Sequence, residues 1–338
     1  MDAVLARFAD VFARDWSALN QPDTGPVALA VSGGPDSCAL LALGALALPG
    51  RVIAATVDHG LRPESADEAR QVATLCAARG VPHATVRLQM AAGSGVQARA
   101  RAARYAALAD WARAHGAGVL ATAHHADDQA ETMIMRLNRG AGVRGLAGMR
   151  PLGQVPGDPT LPLARPLLGW RRADLAAVAQ AAGMAVVHDP SNRDSRFERV
   201  RVRQGLAEAV DWLDPEGLAA SAAHLADADA ALEWMAQGAM ARQWQPGTDG
   251  ESGLLTVPPG LPRALGLRLL ERVLEALGAD WAAPRGTEMA RWFHTLDSGG
   301  IATLAGVRGQ GQARSGDQAR SSDQARIWRF RKAPAHRT

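Results

Sequence analysis

The sequence predicts an α/β protein, a parallel doubly wound sheet followed by a smaller α-helical domain. Three observations predict it. Apolar runs of strand length alternate with alanine-rich helical stretches through the first two hundred residues. The first such run enters a glycine-rich turn and then a helix, and from about residue 206 the pattern becomes helical throughout. Alternation of this kind argues for right-handed βαβ units and a parallel sheet covered on both faces.

Residues 1–24 begin with the helical pattern of MDAVLARFADVFARDW, whose acid at Asp2 is unlike a signal peptide. Strands are expected at 27–31, 51–57, 83–88 and 119–123, with helices at 64–79 and 97–115. A proline-rich linker is expected over Pro151–Pro159. Residues 25–205 then form the catalytic domain, and 206–310 the helical one, with helices at 218–244, 262–277 and 287–296. Residues 311–326 repeat Gln-Ala-Arg every six residues and hold no apolar side chain larger than alanine, so disorder is expected there. A tail, 327–338, opens on the short strand Ile327-Trp328-Arg329-Phe330.

The turn is Ser32-Gly33-Gly34-Pro35-Asp36-Ser37, directly behind Val27–Val31 and ahead of a helix. Free backbone N–H groups and the positive helix end converge there on an anion site. Gly33 and Gly34 permit close approach of a phosphate, Pro35 suits a first helical turn, and Ser32 and Ser37 add hydroxyl donors. No lysine of the kinase-type phosphate loop is present, and Asp36 stands in the loop instead. Two like charges about 4 Å apart repel by about 4 kcal/mol at an effective dielectric near 20. A bridging Mg²⁺ turns that repulsion into attraction.

Ligands of such sheets bind outside the carboxyl ends of the strands. Asp58, His59 and the His124-His125 pair each follow a strand, so they are expected on one rim with the Ser32–Ser37 loop. Neighbours on a starting helix diverge by about 100°, so His124, His125, Asp127 and Asp128 cannot all ligate one ion. Asp127 and Asp128 either favour the helix N-terminus through the dipole, or one of them holds Mg²⁺ beside a histidine that donates to phosphate or base. Asp128 and Glu131 share a helix face, and an acid there suits the ammonium of an amino-acid substrate. Arg101 and Arg104, also three apart, suit a phosphate or a solvated face. Glycine and arginine interleave from Arg136 to Gly145, which predicts a mobile loop whose Arg139 and Arg144 reach a phosphate backbone. Arg193, Arg196, Arg199 and Arg203 recur at helical spacing, either as a basic RNA-facing face or as a salt-bridged helix with Asp194 and Glu198.

Composition bounds the function. The chain has 338 residues, 47% of them apolar, and a net charge of only +3, as expected of a soluble cytoplasmic protein of two domains. Cys38 and Cys76 form no CxxC pair, which offers neither a metal cage nor paired catalytic thiols. Lys332 is the only lysine, which excludes lysine-dependent phosphate loops and Schiff-base chemistry from the first 331 residues.

Ser32–Ser37 behind a first strand resembles the signature of the N-type ATP pyrophosphatases, the PP-loop ATPases of adenine nucleotide alpha hydrolase-like fold. Val57-Asp58-His59-Gly60-Leu61-Arg62, the segment from Ala98 to Tyr105, the run from Thr122 to Gly140, Arg165-Pro166-Leu167-Leu168 and Asp189-Pro190-Ser191-Asn192 narrow the resemblance to the tRNA(Ile)-lysidine synthases, over about residues 25–205. The resemblance implies ATP and Mg²⁺ as cofactors, with free L-lysine and a CAU-anticodon isoleucine tRNA as substrates, and a tRNA-associated role for the helical domain 206–310; a homodimer is left open. It implies ATP contacts from Ser32 to Ser37, Asp58, His59 and Arg101, and catalytic roles for Asp36, Arg104, His124, Asp127 and Asp128. Asp36 with Asp127 is the expected metal pair, and Asp128 with Glu131 the expected lysine site. The wobble cytidine would be adenylated at O2 and lysine would then displace AMP from C2. Another adenylating enzyme on the same scaffold and a non-catalytic ATP sensor are the alternatives. Arg199-Val200 stands where the family commonly has Arg-Asn, and the further C-terminal domain of the longest members is not expected.

Overall fold

The computed structural model describes residues 3–21, 25–58, 60, 65–88, 96–187, 194–209, 211–279, 286–312 and 325–333, which fall into two compact units, 1–226 and 227–338. In the first unit the chain runs α1 (Ala3–Ala18), β1 (Val27–Ala30), α2 (Pro35–Ala47), β2 (Val52–Asp58), α3 (Ser65–Ala77), β3 (His83–Arg87), α4 (Val96–Ala114) and β4 (Val119–Ala121). It continues through α5 (Ala126–Leu137), α6 (Val143–Leu146), β5 (Leu152–Val155), β6 (Asp158–Ala164), α7 (Arg172–Ala181) and α8 (Glu198–Glu208). The helix α9 (Pro215–Gln243) contains the boundary between the units.

The six strands lie in the order β3-β2-β1-β4-β6-β5. All neighbours are parallel except the edge pair β5 and β6. The sheet is therefore mixed rather than wholly parallel. The correction comes from the stretch expected as a proline-rich linker, which instead forms the β5–β6 hairpin and turns at Gly157, with φ +83°. Burial explains the two-sided winding. Val27 and Leu29 enter the core under α1, α2 and α7, whereas Ala28 enters the core under α4. Val119 and Ala121 split from Leu120 in the same way. Strands buried on both faces read as continuous apolar runs, which is how β1, β2 and β4 look in the sequence, whereas the edge strand β3 is largely half-exposed.

After β3 the chain returns to place β4 on the other side of β1. That reversal puts the loops after β1 and β4 side by side at the carboxyl ends of their strands, where open α/β sheets bind ligands.

The second unit corrects the expectation of a purely helical domain. Its strands are β7 (Trp244–Pro246), β8 (Ser252–Val257), β9 (Ile301–Leu304), β10 (Val307–Gln310) and β11 (Arg326–Lys332), with helices α10 (Arg263–Ala276) and α11 (Gly286–Asp297). The sheet is antiparallel, in the order β7-β8-β11-β10-β9. β11 alternates: Trp328 and Phe330 are buried with Leu269, Leu274, Trp292 and Leu296, while Arg329 and Arg331 are exposed. Residues 313–324, which hold most of the Gln-Ala-Arg repeat, lie outside the described residues. No described helix is long and apolar enough to cross a membrane.

Candidate active site

The loop after β1 is organised by its own hydroxyls. Ser37 Oγ accepts the backbone N–H of Ser32 at 3.1 Å and donates to the Gly34 carbonyl at 3.0 Å, and Ser32 Oγ lies 3.2 Å away. Gly33 has φ +87°, and its carbonyl accepts Val187 N–H at 2.9 Å and Cys38 Sγ at 3.3 Å. A Cβ on Gly33 would stand 3.0 Å from Val187 and 3.1 Å from Val72, so both its backbone angle and its packing require glycine. Among the described residues, no backbone carbonyl takes the N–H of Gly33, Gly34, Asp36 or Ser37. Those four donors at the start of α2 are the anion cradle expected from the sequence.

Asp36 leaves this cradle toward the loop after β4, where His125 caps α5. His125 is fully buried. Its Nε2 lies 3.5 Å from an oxygen of Asp36 and 3.5 Å from Asp128, and its Nδ1 lies 3.6 Å from Asp127. These separations are charge pairings rather than hydrogen bonds, and Asp36 Oδ1 is buried without a partner. Burial by itself disfavours an imidazolium, but Asp127 and Asp36, with Asp128 behind them, outweigh it and push His125 up to about 9. The sequence reading placed its weight on His124 and passed over His125. The usable signal was position: the residue three before Asp128, at a helix N-terminus, meets that acid.

His124 lies in the opposite kind of field. Burial, then Arg165, Arg101, Arg199 and Arg104, hold it well below its ordinary value, so its ring is neutral. Its Nδ1 is 2.8 Å from Thr122 Oγ1. Arg101 and Arg104 both lie against the ring of buried Tyr105, at 5.2 and 5.3 Å from its centre, and Arg104 Nε is buried without a partner. The two histidines thus divide a negative compartment from a positive one, and the glycine loop borders the former through Asp36.

Asp127 and Glu131 are already committed to arginines. Asp127 accepts the backbone N–H of Arg172 at 2.8 Å and the guanidinium of Arg171 at 3.3 Å, which together with His125 overcome the opposing effect of burial and hold it below the carboxylate range. Glu131, 1% exposed, accepts Arg199 at 2.6 Å, Arg203 at 2.7 Å and Arg172 at 3.2 Å. Burial works against its charge, but Arg203 and Arg199 hold the carboxyl below its ordinary value. Arg199 also reaches Asp128 at 3.1 Å. Arg171 and Arg172 were not anticipated. They arrive because Ala126 N–H bonds the Trp170 carbonyl at 2.8 Å, fastening the start of α7 to that of α5.

The remaining expected residues divide. Asp58 Oδ1 accepts Gly60 N–H at 2.9 Å and Ser65 Oγ at 2.7 Å, closing the turn after β2. His59 and Arg193 lie outside the described residues. Arg199 and Arg203 turn inward to Glu131, whereas Arg196 is exposed and pairs with Asp194 at 2.6 Å. Arg139 pairs with Glu198, and Arg144 is exposed. Side chains of α5 bond the backbone of the loop carrying those two and of the segment after it. Gln129 brackets the backbone of Met149 at 2.7 and 2.9 Å, and Arg136 donates to the Gly145 carbonyl at 2.5 Å. Val200, standing where an asparagine is usual, is buried.

A glycine cradle at a sheet switch point, bordered by half-buried acids, defines a nucleotide-binding enzyme of the PP-loop class, and residues 9–210 match the PP-loop domain family. The chain is 55% identical to the tRNA(Ile)-lysidine synthase of Novosphingobium aromaticivorans over 335 residues, 99% of this chain and 96% of that one. It is 41% identical to the tRNA(Ile)-lysidine synthase of Zymomonas mobilis over 320 residues, 94% and 91% of the two chains. Among solved structures it resembles the U34-tRNA thiolase NcsA from Methanococcus maripaludis with its [4Fe-4S] cluster, at a TM-score of 0.55 and 16% identity. That likeness covers 67% of this chain and 80% of the other, and speaks to the fold alone. The chain belongs to the tRNA(Ile)-lysidine synthase family.

Proposed function

We infer that the chain is an ATP-dependent ligase that adenylates the wobble cytidine of CAU-anticodon tRNA(Ile) and joins free L-lysine to C2, giving lysidine, AMP and pyrophosphate. The likeness along nearly the whole chain to lysidine synthases carries this reading. The working compartment is the cytoplasm, where tRNA, ATP and lysine meet.

The residues divide the work by charge. The cradle amides of Gly33, Gly34, Asp36 and Ser37 hold the phosphates and orient the α-phosphate toward the attacking oxygen. Arg101 and Arg104 meet the negative charge on the other side, with neutral His124 able to donate from Nε2 in the tautomer whose Nδ1 accepts the Thr122 hydroxyl. The partnerless Asp36 Oδ1 fits a hard cation, which prefers oxygen ligands. Mg²⁺ is usually held by one or two carboxylates and the substrate's phosphates. Asp36 would hold it, joined by Asp127 where Arg171 gives way. The ion would neutralise the departing pyrophosphate.

Asp128 is proposed to meet the lysine ammonium, with Glu131 one turn behind it acting through their shared partner Arg199. Arg139, Arg144 and Arg196 suit the RNA phosphate backbone. Sulfur transfer fits the chain poorly, because burial raises the thiols of Cys38 and Cys76 to about 11 and leaves them weak nucleophiles.

The deciding experiment is incubation with ATP, Mg²⁺, labelled lysine and CAU-anticodon isoleucine tRNA. Label in the tRNA with stoichiometric AMP and pyrophosphate is expected. AMP without label would move the reading to another acceptor, and ATP binding without turnover would sink it.

A further inference from the structure

The outer face of the antiparallel sheet in the second unit breaks a rule of cross-strand pairing. In the register of β10 and β11, Arg308 stands directly opposite Arg331, and Gln310 opposite Arg329. All three arginines are exposed. Like charges facing each other across an antiparallel pair are destabilising.

Their neighbours on the same face supply no relief. Across β8, Arg331 faces Ser252 and Arg329 faces Leu254; across β9, Arg308 faces Thr303. None of the three has an ion pair among the described residues. Asp249 is the acid whose field reaches Arg331, and its Oδ1 is already taken by Ser252 and Glu251. Three other arginines of the unit are paired: Arg326 with Asp297 at 2.6 Å, Arg268 with Asp229 and Glu233, Arg272 with Glu233 and Glu275. A cavity of about 240 Å³ opens beside Arg329, lined also by Gln310, Gly311, Gln312 and Ile327. Local rules are broken where function compensates for the cost.

We propose that Arg308, Arg329 and Arg331 form a docking surface for the phosphate backbone of the RNA substrate. Guanidinium groups bind two phosphate oxygens at once, and such contacts position an RNA without reading its sequence. A polyanion also removes the repulsion between Arg308 and Arg331, which water only screens. The chemistry calls for an RNA rather than a protein, since an acidic partner chain would need side chains at this spacing whereas every nucleotide carries a phosphate. The inference rests on the reading of the chain as a tRNA-modifying enzyme.

The test compares the full-length protein with an R308Q/R329Q/R331Q variant. Affinity for isoleucine tRNA is measured against KCl concentration, alongside tRNA-dependent pyrophosphate release. Each lost phosphate contact should lower the slope of log K against log salt by about 0.7–0.9, so the triple variant should lose roughly two to three units of slope. Its KM for tRNA should rise by about tenfold or more while kcat at saturating tRNA and ATP affinity stay unchanged. An R308K/R329K/R331K variant should keep most of the slope, as a charge-based contact requires. Should the triple glutamine variant fold poorly, the single R329Q variant still has to lose about one unit. Unchanged slope and affinity in a folded variant would overturn the proposal. A wild-type protein that binds tRNA with the steep slope but transfers no lysine would instead count against the enzymatic reading alone.

Discussion

Replacing Glu131 with glutamine preserves its shape and removes the one charge that Arg172, Arg199 and Arg203 share. Four hydrogen bonds to a charged acceptor would sum to about 6–12 kcal/mol at about 1.5–3 each. That sum overshoots, because the three guanidinium groups are 33–36% exposed and recover water when the carboxylate goes. Glutamine also retains one acceptor. A loss of about 2–3 kcal/mol at neutral pH is the expected result, or about 5–10 °C in the melting temperature of the first unit. The effect carries a pH signature. Glu131 is held below its ordinary 4.5, so its contribution is present above that value and is lost as pH falls through the lowered one. The gap between wild type and Glu131→Gln, measured by urea unfolding, should therefore close on acidification. A gap that stays constant between pH 7 and the acid limit, or no gap at all, would refute the charge argument. Lysine KM measured on the same variant separates a positioning role from a purely structural one, since stability alone leaves KM unmoved in folded enzyme.

Asp36→Asn should keep ATP binding measurable but lower lysine transfer by about a hundredfold or more, and full activity would remove Asp36 from the chemistry. Gly33→Ala should cost about 1–2 kcal/mol from the left-handed backbone, with further loss from the contacts to Val187 and Val72, read as weaker ATP affinity and a lower melting temperature. His124 is held well below 6.5 by burial and arginines, so the unfolded chain binds the proton more readily and stability should fall as pH drops below about 6.5. His124→Gln should flatten that slope between pH 5 and 6.5, and an unaltered slope would show the ring charged or exposed.

What the sequence disclosed follows from the range over which each feature is encoded. β1, β2 and β4 were legible because each is an apolar run bounded by turn residues, β3 because His83–Leu88 alternates behind Gly80 and Pro82, and the cradle because six consecutive residues build it. β6 was hidden by Pro159 and Pro162, which argue against a strand. The structure tolerates them because β6 pairs with β4 only through Leu163 and Ala164, beyond both prolines. The sheet of the second unit was hidden differently. β11 is separated from its partner β8 by more than sixty residues, and β9 and β10 have four residues each, so no local period announces a sheet. Arg199 and Arg203 fit a helix face equally well as RNA contacts or as internal pairs. Their partner Glu131 lies 68 and 72 residues earlier, a separation that helical spacing cannot disclose.

The same separation shows why the site holds opposite charges so close together. His125 is carried by the loop after β4 and Asp36 by the loop after β1, and the neighbouring placement of those strands forces the two side chains together. With an imidazolium at its centre, the cluster of Asp36, Asp127 and Asp128 tolerates burial without nucleotide. The cradle amides nearby remain without backbone acceptors, and a phosphate would satisfy them. In the proposed reading a triphosphate would meet cradle amides that have no backbone acceptor, and a lysine ammonium would meet Asp128 by taking the place of Arg199. Neither needs the other's binding groups. In the proposed reading that separation of charge would let one rim of one sheet hold an anionic nucleotide and a cationic amino acid at once, and it follows from a strand order in which β4 returns to the side of β1.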